Sequence, residues 1–296
     1  MFSCRCIAVF SDIHSNYHAF RACYEDARAQ GAGGFIFLGD YVSDLAEPRQ
    51  TLDLVYEIMA EYPTVCLRGN RERYMLDCEK GAAVFAKGSK TGSLLYTFQR
   101  LRPRDLDFFR GLPEHDLIGI NGVPIEIAHA VKGDDRFYFE SGDDRIQGVF
   151  GQMEGACLLT GHSHRQYIQT SQGKTILNPG SIGIPQGGGR WPQYALLEVE
   201  DGVVHGRLRQ VRYPLEAAIH AQFENGLMEY AKYWAVSILY DVITGQECTM
   251  QLLERVSRSG DVRDEALWRR TAAEMGMKFT EKEILDFWAV DCGKRV

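Results

Sequence analysis

One device recurs five times in this 296-residue chain: a short apolar run that ends in a metal-capable side chain. It first occurs at Val9-Phe10-Ser11-Asp12-Ile13-His14. It returns at Phe35-Ile36-Phe37-Leu38-Gly39-Asp40, Thr64-Val65-Cys66-Leu67-Arg68-Gly69-Asn70, Ile125-Glu126-Ile127-Ala128-His129 and Cys157-Leu158-Leu159-Thr160-Gly161-His162-Ser163-His164. Each run reads as a short buried strand. Asp12 and His14 lie two apart, a spacing that puts both side chains on one side of an extended segment. Five strand ends presenting such groups are hard to obtain by accident.

Between these runs the pattern turns helical. Ser15 or Asn16 is expected to cap a helix from Tyr17 to Gln30, with Gly31 as its stop signal. Residues 49–61 place apolar side chains at 52, 54, 55, 58 and 59, an amphipathic spacing that Pro63 ends. Strand–helix alternation implies parallel pairing with right-handed crossovers, and ligands in such sheets gather beyond the carboxyl ends of the strands. Residues 71–112 look helical, interrupted at Gly88 and Gly92, with a helix near 103–110. From 113 onward short strands dominate: 115–120, 123–129, 156–160, 166–170, 174–177, 193–199 and 203–210. Asn121-Gly122, Gln172-Gly173 and Asp201-Gly202 supply the hairpin turns. After Pro214 the strands stop and residues 215–290 are helical in character, including 227–243, 247–258 and 264–275, with Gly260 as a break and Asp261 as a cap. The expected division is therefore 1–213 and a helical extension, 214–296, packed on it.

The chain is large enough for one full core, and its charged and apolar fractions are those of a globular protein. A net charge of -7 leaves no electrostatic footprint for duplex nucleic acid, so an anionic substrate would need a local positive site. The cysteines are scattered and read as free thiols in a reducing compartment. Cys4-Arg5-Cys6 has no second pair at zinc-site spacing. With no leader pattern, and no apolar run near the ~20 residues that span a bilayer, a cytoplasmic location without membrane attachment is expected.

Collected, Asp12, His14, Asp40, Asn70, His129, His162 and His164 offer imidazole nitrogen, carboxylate and amide oxygen, without thiolate. That mixture suits manganese, iron, zinc, nickel or cobalt, with manganese or iron favoured. Seven donors exceed one tetrahedral site and suggest two ions sharing a carboxylate. Two divalent ions, less two carboxylates and a hydroxide, leave a local charge of about +1 that can hold a phosphate.

In order, Asp12-x-His14, Gly39-Asp40, Gly69-Asn70-x-Glu72, His129, Gly161-His162-x-His164 and Asn178-Pro179-Gly180-Ser181 resemble the calcineurin-like metallophosphoesterase superfamily. The forms around DIHSN, GHSHR and NPGSIGIP are similar to its small bacterial and archaeal phosphodiesterase branch, related to diadenosine tetraphosphatases. The resemblance covers roughly 1–213 and implies an α+β, four-layer fold: a double β-sandwich flanked by helices, here with a C-terminal helical extension. It also implies one metal on Asp12, His14, Asp40 and His164, and a second on Asp40, Asn70, His129 and His162. A hydroxide held between them would attack phosphorus. Asp40, His129 and Arg71 are then the residues expected at the chemical step.

Two departures from the family pattern matter. Arg71 stands where a His commonly follows Gly-Asn; a guanidinium stays protonated, so it is expected to clamp phosphate rather than donate a proton. Its other reading is a structural ion pair, with Glu72 as the partner. Ala130 replaces a frequent Gly after the metal-binding His and is expected to affect loop shape only. Asn16 reads as a helix cap that could also reach phosphate, and Asn178 to Ser181 as a tight turn under the site. His18, His115, His205 and His220 read as ordinary residues. Gly187-Gly188-Gly189 lacks the Lys-Ser/Thr of a P-loop and reads as a loop lining the pocket.

The expected activity is hydrolysis of phosphoester or phosphoanhydride bonds in a small nucleotide-like substrate, as a phosphodiesterase or dinucleoside polyphosphate hydrolase. A protein Ser/Thr phosphatase is the enzymatic alternative, and a scaffold of the same fold with a degraded metal site is the non-enzymatic one. The C-terminal helices could serve as a lid or support a homo-oligomer.

Overall fold

A computed structural model describes residues 4–130, 145–187 and 189–293. Gly188 lies outside the described residues, as does the side chain of Cys292. The amino-terminal half runs β1 (Cys6–Phe10), α1 (Tyr17–Ala29), β2 (Gly34–Phe37), α2 (Pro48–Glu61), β3 (Thr64–Cys66), α3 (Asn70–Glu79), α4 (Gly92–Phe98) and α5 (Pro103–Gly111). Then follow β4 (His115–Ile120), β5 (Val123–Ala128), α6 (Ile146–Gln152), β6 (Cys157–Thr160), β7 (Gln166–Ser171), β8 (Lys174–Pro179), β9 (Gln193–Glu200) and β10 (Val203–Gln210). The carboxyl-terminal helices are α7 (Leu215–Glu224), α8 (Leu227–Thr244), α9 (Cys248–Ser259), α10 (Glu265–Glu274) and α11 (Glu281–Gly293).

The strands form two five-stranded mixed sheets, ordered β10-β9-β1-β2-β3 and β4-β5-β6-β8-β7. In the first, β1 pairs in parallel with β2 and β2 with β3, while β9 runs antiparallel to β1. In the second, β5, β6 and β8 are mutually parallel neighbours. The period of two along β1 divides its side chains between layers. Ile7 and Val9 meet Ile125, Ile127, Leu159 and Leu177 of the other sheet. Ala8 and Phe10 face the opposite way, into Phe20, Tyr24, Leu52, Val55 and Phe109 of the helices. Outside the second sheet, Ile146 and Phe150 of α6 cover Leu158 and Ile176. The order is helix, sheet, sheet, helix, the double sandwich that the motifs imply.

Phe10 is the pivot of the first helical layer, with ring centroids 5.4–5.9 Å from Phe20, Phe35, Phe37 and Tyr194. Truncating such a buried ring to Ala costs about 3–5 kcal/mol. Asn16 caps α1, its Oδ1 accepting from Ala19 N at 3.2 Å; its Nδ2 donates to Gly183 O, so this side chain is spent on structure. Helix α6 was not foreseen, because its seven residues carry no cap signal and only two fully buried apolar side chains. Helix α10 starts from Asp264, which accepts from Ala266 N, and not from Asp261, which instead pairs with Arg263.

Helices α7 to α11 bury Leu239, Ile243, Leu252, Val256, Ala272 and Ile284 among themselves, together with Leu45 and Ile184 from loops of the sandwich. Among the described residues no helix is long and apolar enough to cross a membrane, and the seven described cysteines are free. Within this layer Asp241 is 3% exposed and accepts from Thr249 N at 2.9 Å, closing the start of α9. Burial outweighs that bond and pushes its carboxyl up to about 7. The folded state therefore binds a proton more tightly than the unfolded chain. That contribution is full below about pH 3.9 and is lost as pH rises through about 7.

Asp241→Asn keeps the oxygen that accepts from Thr249 and never has to ionise. In thermal unfolding of the metal-free protein, its melting temperature relative to wild type is expected to rise by several degrees between pH 5 and pH 8, at roughly 2–4 °C per kcal/mol. A difference independent of pH would contradict the buried, proton-holding role.

Candidate metal centre

The seven candidate donors leave the structure on five separate strand exits. Because β1, β2 and β3 are parallel, and β5 and β6 likewise, these exits share one edge of each sheet. β1 ends at Phe10, so Asp12 and His14 are not on an extended strand as their spacing suggested. They converge through the left-handed region instead: φ is 53° at Asp12, 49° at His14, 54° at Asp40, 66° at His162 and 58° at His164. Asp, Asn and His are the non-glycine residues that best tolerate this conformation, which still costs on the order of 1–3 kcal/mol each.

Neighbouring loops hold the strain. Asp12 N donates to Gly39 O, and Ile13 N and His14 N both donate to Asp40 O at 2.8 and 3.0 Å. Glu72 accepts from Asp40 N and Gly69 N through Oε2, and from Tyr41 N through Oε1, each at 2.9 Å. Gly39 (φ 107°) has no alternative: a Cβ there would stand 2.5 Å from Gly69 N. Burial and the nearby Asp40 carboxylate push Glu72 up to about 7, the N–H groups of Gly69 and Asp40 and the His129 imidazole acting the other way.

Two donor clusters result. In one, His14 Nε2 lies 3.1 Å from His164 Nε2 and 3.9 Å from Asp12 Oδ1, which is 3.4 Å from His164 Nε2. In the other, Asn70 Oδ1 is 3.0 Å from both His129 Nε2 and His162 Nδ1, which are 3.3 Å apart. Asp40 Oδ2 joins them, 3.7 Å from His14 Nε2 and 3.5 Å from His129 Nε2. Adjacent donors around an ion with bonds of about 2.0–2.2 Å stand roughly 3.0–3.6 Å apart, so the spacing fits transition-metal coordination. Asp12, His14 and His164, and Asp40, His129 and His162, form two groups able to hold a metal ion.

The polar atoms turned away from the centre are already engaged. His164 Nδ1 donates to Ile184 O and His129 Nδ1 to Leu38 O, which leaves each Nε2 lone pair for a metal. Asp44 Oδ2 stands 3.3 Å from His14 Nδ1. Asp12 Oδ2 accepts from Ser11 Oγ and His162 N, and Asp40 Oδ1 accepts from Arg71 N. Asp12 Oδ1, by contrast, is buried without a hydrogen-bond partner. An orphaned carboxylate oxygen in the interior is costly, and a cation is the partner that would remove the cost.

Electrostatics agree with that fit. Burial alone would raise Asp12, yet His164 and His129 bring it down to about 2. Asp40 is likewise held well below the carboxylate range, against burial, by His129, His14 and Arg71. Burial depresses the imidazoles, but Asp40 reverses this at His129, which rises to about 9, and Asp12 does so at His164. His162, half-buried beside His129, falls to about 4. The pocket of donors attracts positive charge, for which protons and metal ions compete.

Arg71 does not pair with Glu72, whose oxygens are taken by backbone N–H groups. Its Nη2 meets Asp44 Oδ2 at 3.0 Å and its Nε lies 3.9 Å from Asp40 Oδ2. Asp44 escaped the sequence reading. It is 1% exposed and also takes Ser43 Oγ and Ser93 Oγ at 3.0 Å and Trp234 Nε1 at 3.2 Å. Burial raises its carboxyl, but Arg71 and His14 bring it well below the usual range. Asn178 and Ser181 build the floor, through Asn178 Nδ2 to Gly161 O and Ser181 Oγ to Asp12 O. His18 pairs with Glu47, and His220 with Glu281, away from these donors.

Comparison with known proteins agrees with this geometry. The calcineurin-like phosphoesterase superfamily domain matches residues 6–202, and the chain belongs to that superfamily. With both metal-binding groups in place, it is a phosphoric ester hydrolase. An uncharacterized protein of Methanocaldococcus jannaschii is 25% identical over 241 residues, 76% of this chain and 94% of that one. Two solved structures share the fold at a TM-score of 0.65: a metallophosphoesterase from Sphaerobacter thermophilus and a hypothetical protein from Pyrococcus horikoshii. The first is 20% identical and covers 82% of this chain and 100% of its own; the second is 17% identical and covers 81% and 98%.

Metal content per chain tests the arrangement directly. Elemental analysis of manganese-loaded protein is expected to give near two ions for wild type, near one for His162→Ala and near none for Asp40→Ala. Asp44→Ala is expected to weaken binding at the His14 side by about 10–100-fold, the usual effect of losing an orienting partner. Equal content in wild type and Asp40→Ala would contradict the shared carboxylate.

Proposed function

We propose that the chain is a dinuclear metal-dependent hydrolase of small phosphodiesters or phosphoanhydrides, with nucleotide-like substrates. The reading rests on one observation: Asp40 Oδ2 stands between the donor clusters, 3.7 Å from His14 Nε2 and 3.5 Å from His129 Nε2. Asp12, His14, His164 and Asp40 would hold one ion, and Asp40, Asn70, His129 and His162 the other. Such a pair supplies Lewis acidity toward both the attacking and leaving oxygens of an in-line displacement, and manganese or iron suits these donors.

The remaining steps belong to the protein. Asp40 fixes the spacing of the two clusters, and its own backbone is pinned by Glu72. His129 is a ligand and not a proton carrier in this reading, since Nδ1 is committed to Leu38 O and Nε2 to the cluster. Arg71 keeps its positive charge beside the clusters, with its side chain 22% exposed and one guanidinium nitrogen anchored on Asp44. An anchored, partly exposed guanidinium suits a phosphate oxygen and is a poor proton donor. Substrates whose leaving group needs no protonation, such as phosphoanhydrides and aryl phosphodiesters, follow from that chemistry. A relation to diadenosine tetraphosphatases, which the motifs imply, would fall within the same substrate class.

Initial rates with manganese on a phosphomonoester, a bis-aryl phosphodiester, a dinucleoside polyphosphate and a phosphopeptide test the assignment. The diester or the dinucleoside polyphosphate is expected to turn over fastest; preference for the phosphopeptide would replace this reading with a protein phosphatase. Arg71→Ala is expected to lower kcat/KM for the best substrate by about 100-fold, the scale of one lost charged contact. Unchanged kcat and KM would remove Arg71 from the mechanism.

A further inference from the structure

A second pocket, of about 350 Å³, lies between the 86–91 loop and helices α8 and α10. Its lining combines Trp234, Trp268 and Tyr233 with Lys87, Lys90, Lys232 and Arg263. None of the metal-site donors contributes to it. Glu265 is the only carboxylate among the lining residues, on a chain whose net charge is -7. Trp268 Nε1 already donates to Val262 O at 2.8 Å, and Trp234 Nε1 to Asp44 Oδ1 at 3.2 Å. The two indoles are tilted 64° to each other with centroids 6.4 Å apart. With both N–H groups engaged, the rings can offer a ligand only apolar surface, which suits a planar aromatic group.

The cations suit an anion. Lys87 meets Glu229 at 3.7 Å, Lys232 pairs with Glu265 and Arg263 with Asp261, all as exposed pairs of small net value. An incoming phosphate can redirect them at little cost. Lys90 is exposed. The backbone is also shaped here: Lys232 interrupts α8 with φ 45° and ψ -120°, and Gly88 N donates to the carbonyl of Tyr230, two residues before the break. Strain of this kind persists where surrounding contacts impose it, and ligand sites are a common setting.

We propose that this pocket binds an aromatic phosphate of mononucleotide size, and that its occupancy is transmitted to the metal centre through Trp234 and Asp44. The connection is short and continuous. Trp234 lines the pocket and donates to Asp44 Oδ1, while Asp44 Oδ2 faces His14 Nδ1 at 3.3 Å and Arg71 Nη2 at 3.0 Å. A ligand that shifts the indole changes the support of one metal-site imidazole and of the guanidinium together. The volume lies within the usual range for small-molecule sites, roughly 300–1,000 Å³. The inference goes beyond the hydrolytic reading and does not depend on which ester is cleaved.

Calorimetry of the full-length, metal-free protein with AMP, adenosine and inorganic phosphate tests the site without turnover. AMP is expected to bind one to one, about tenfold or more tighter than either fragment, because it alone engages both rings and cations. Lys90→Glu, a surface change far from the fold's core, is expected to weaken AMP by about tenfold. Manganese affinity, measured with and without AMP, is expected to shift by about fivefold in wild type. Lys90→Glu serves as the control for metal captured by free nucleotide. Trp234→Phe leaves a smaller aromatic ring and removes the N–H; it is expected to bind AMP no more than about tenfold more weakly than wild type and, at saturating AMP, to lose the shift. AMP binding no tighter than phosphate, or unaffected by Lys90→Glu, would overturn the site. An undiminished shift in Trp234→Phe would overturn the coupling.

Discussion

The arrangement depends on one carboxylate. Asp40 holds a left-handed backbone, gives its carbonyl to the His14 loop, gives Oδ1 to the first turn of α3 and turns Oδ2 toward both imidazole clusters. None of these contacts stabilises the residue alone, since a buried, desolvated carboxylate beside a second one is unfavourable. The surroundings make it tolerable: Glu72 receives its N–H, Gly39 and Gly69 let the two loops touch backbone to backbone, and His129, His14 and Arg71 oppose the charge. The sandwich is the rigid frame that brings these loops together, with strand ends from both sheets at one edge.

That much was legible in the sequence because a residue type and a backbone requirement coincide. Five of the seven donors, Asp12, His14, Asp40, His162 and His164, leave their strands through positive φ, and Asp and His serve both needs. Alternation along β1 and the apolar face of α1 were equally readable, since both are local. Non-local pairings were not. Asp44 reads as one more polar loop residue until the fold sets it against His14, Arg71, Ser93 and Trp234, the last 190 residues away. The Arg71 partner followed the same rule: the adjacent Glu72 looked available, but three backbone N–H groups consume it. Asp261 and Asp264 show the smaller version, two cap-capable residues within one turn with only one at the helix start.

The carboxyl-terminal helices change meaning in this light. Sequence alone made them an extension packed on the core, without saying where: Trp234 of α8 supports Asp44, Glu247 pairs with Arg165 beside His164, and Leu45 and Ile184 from the site loops sit in the helical core. His164 Nδ1 is itself oriented by the carbonyl of Ile184. The helices thus stand behind one of the two donor clusters. Variation in that layer would reach the chemistry through the orientation of imidazoles.

The central claim is that two cations share Asp40, and electron paramagnetic resonance of the manganese-loaded protein addresses it most directly. Two Mn(II) ions about 3.5–4 Å apart with a common carboxylate are expected to give an exchange-coupled multiline spectrum at full loading. Separate signals of isolated Mn(II) at every loading, with no coupled species, would contradict the account.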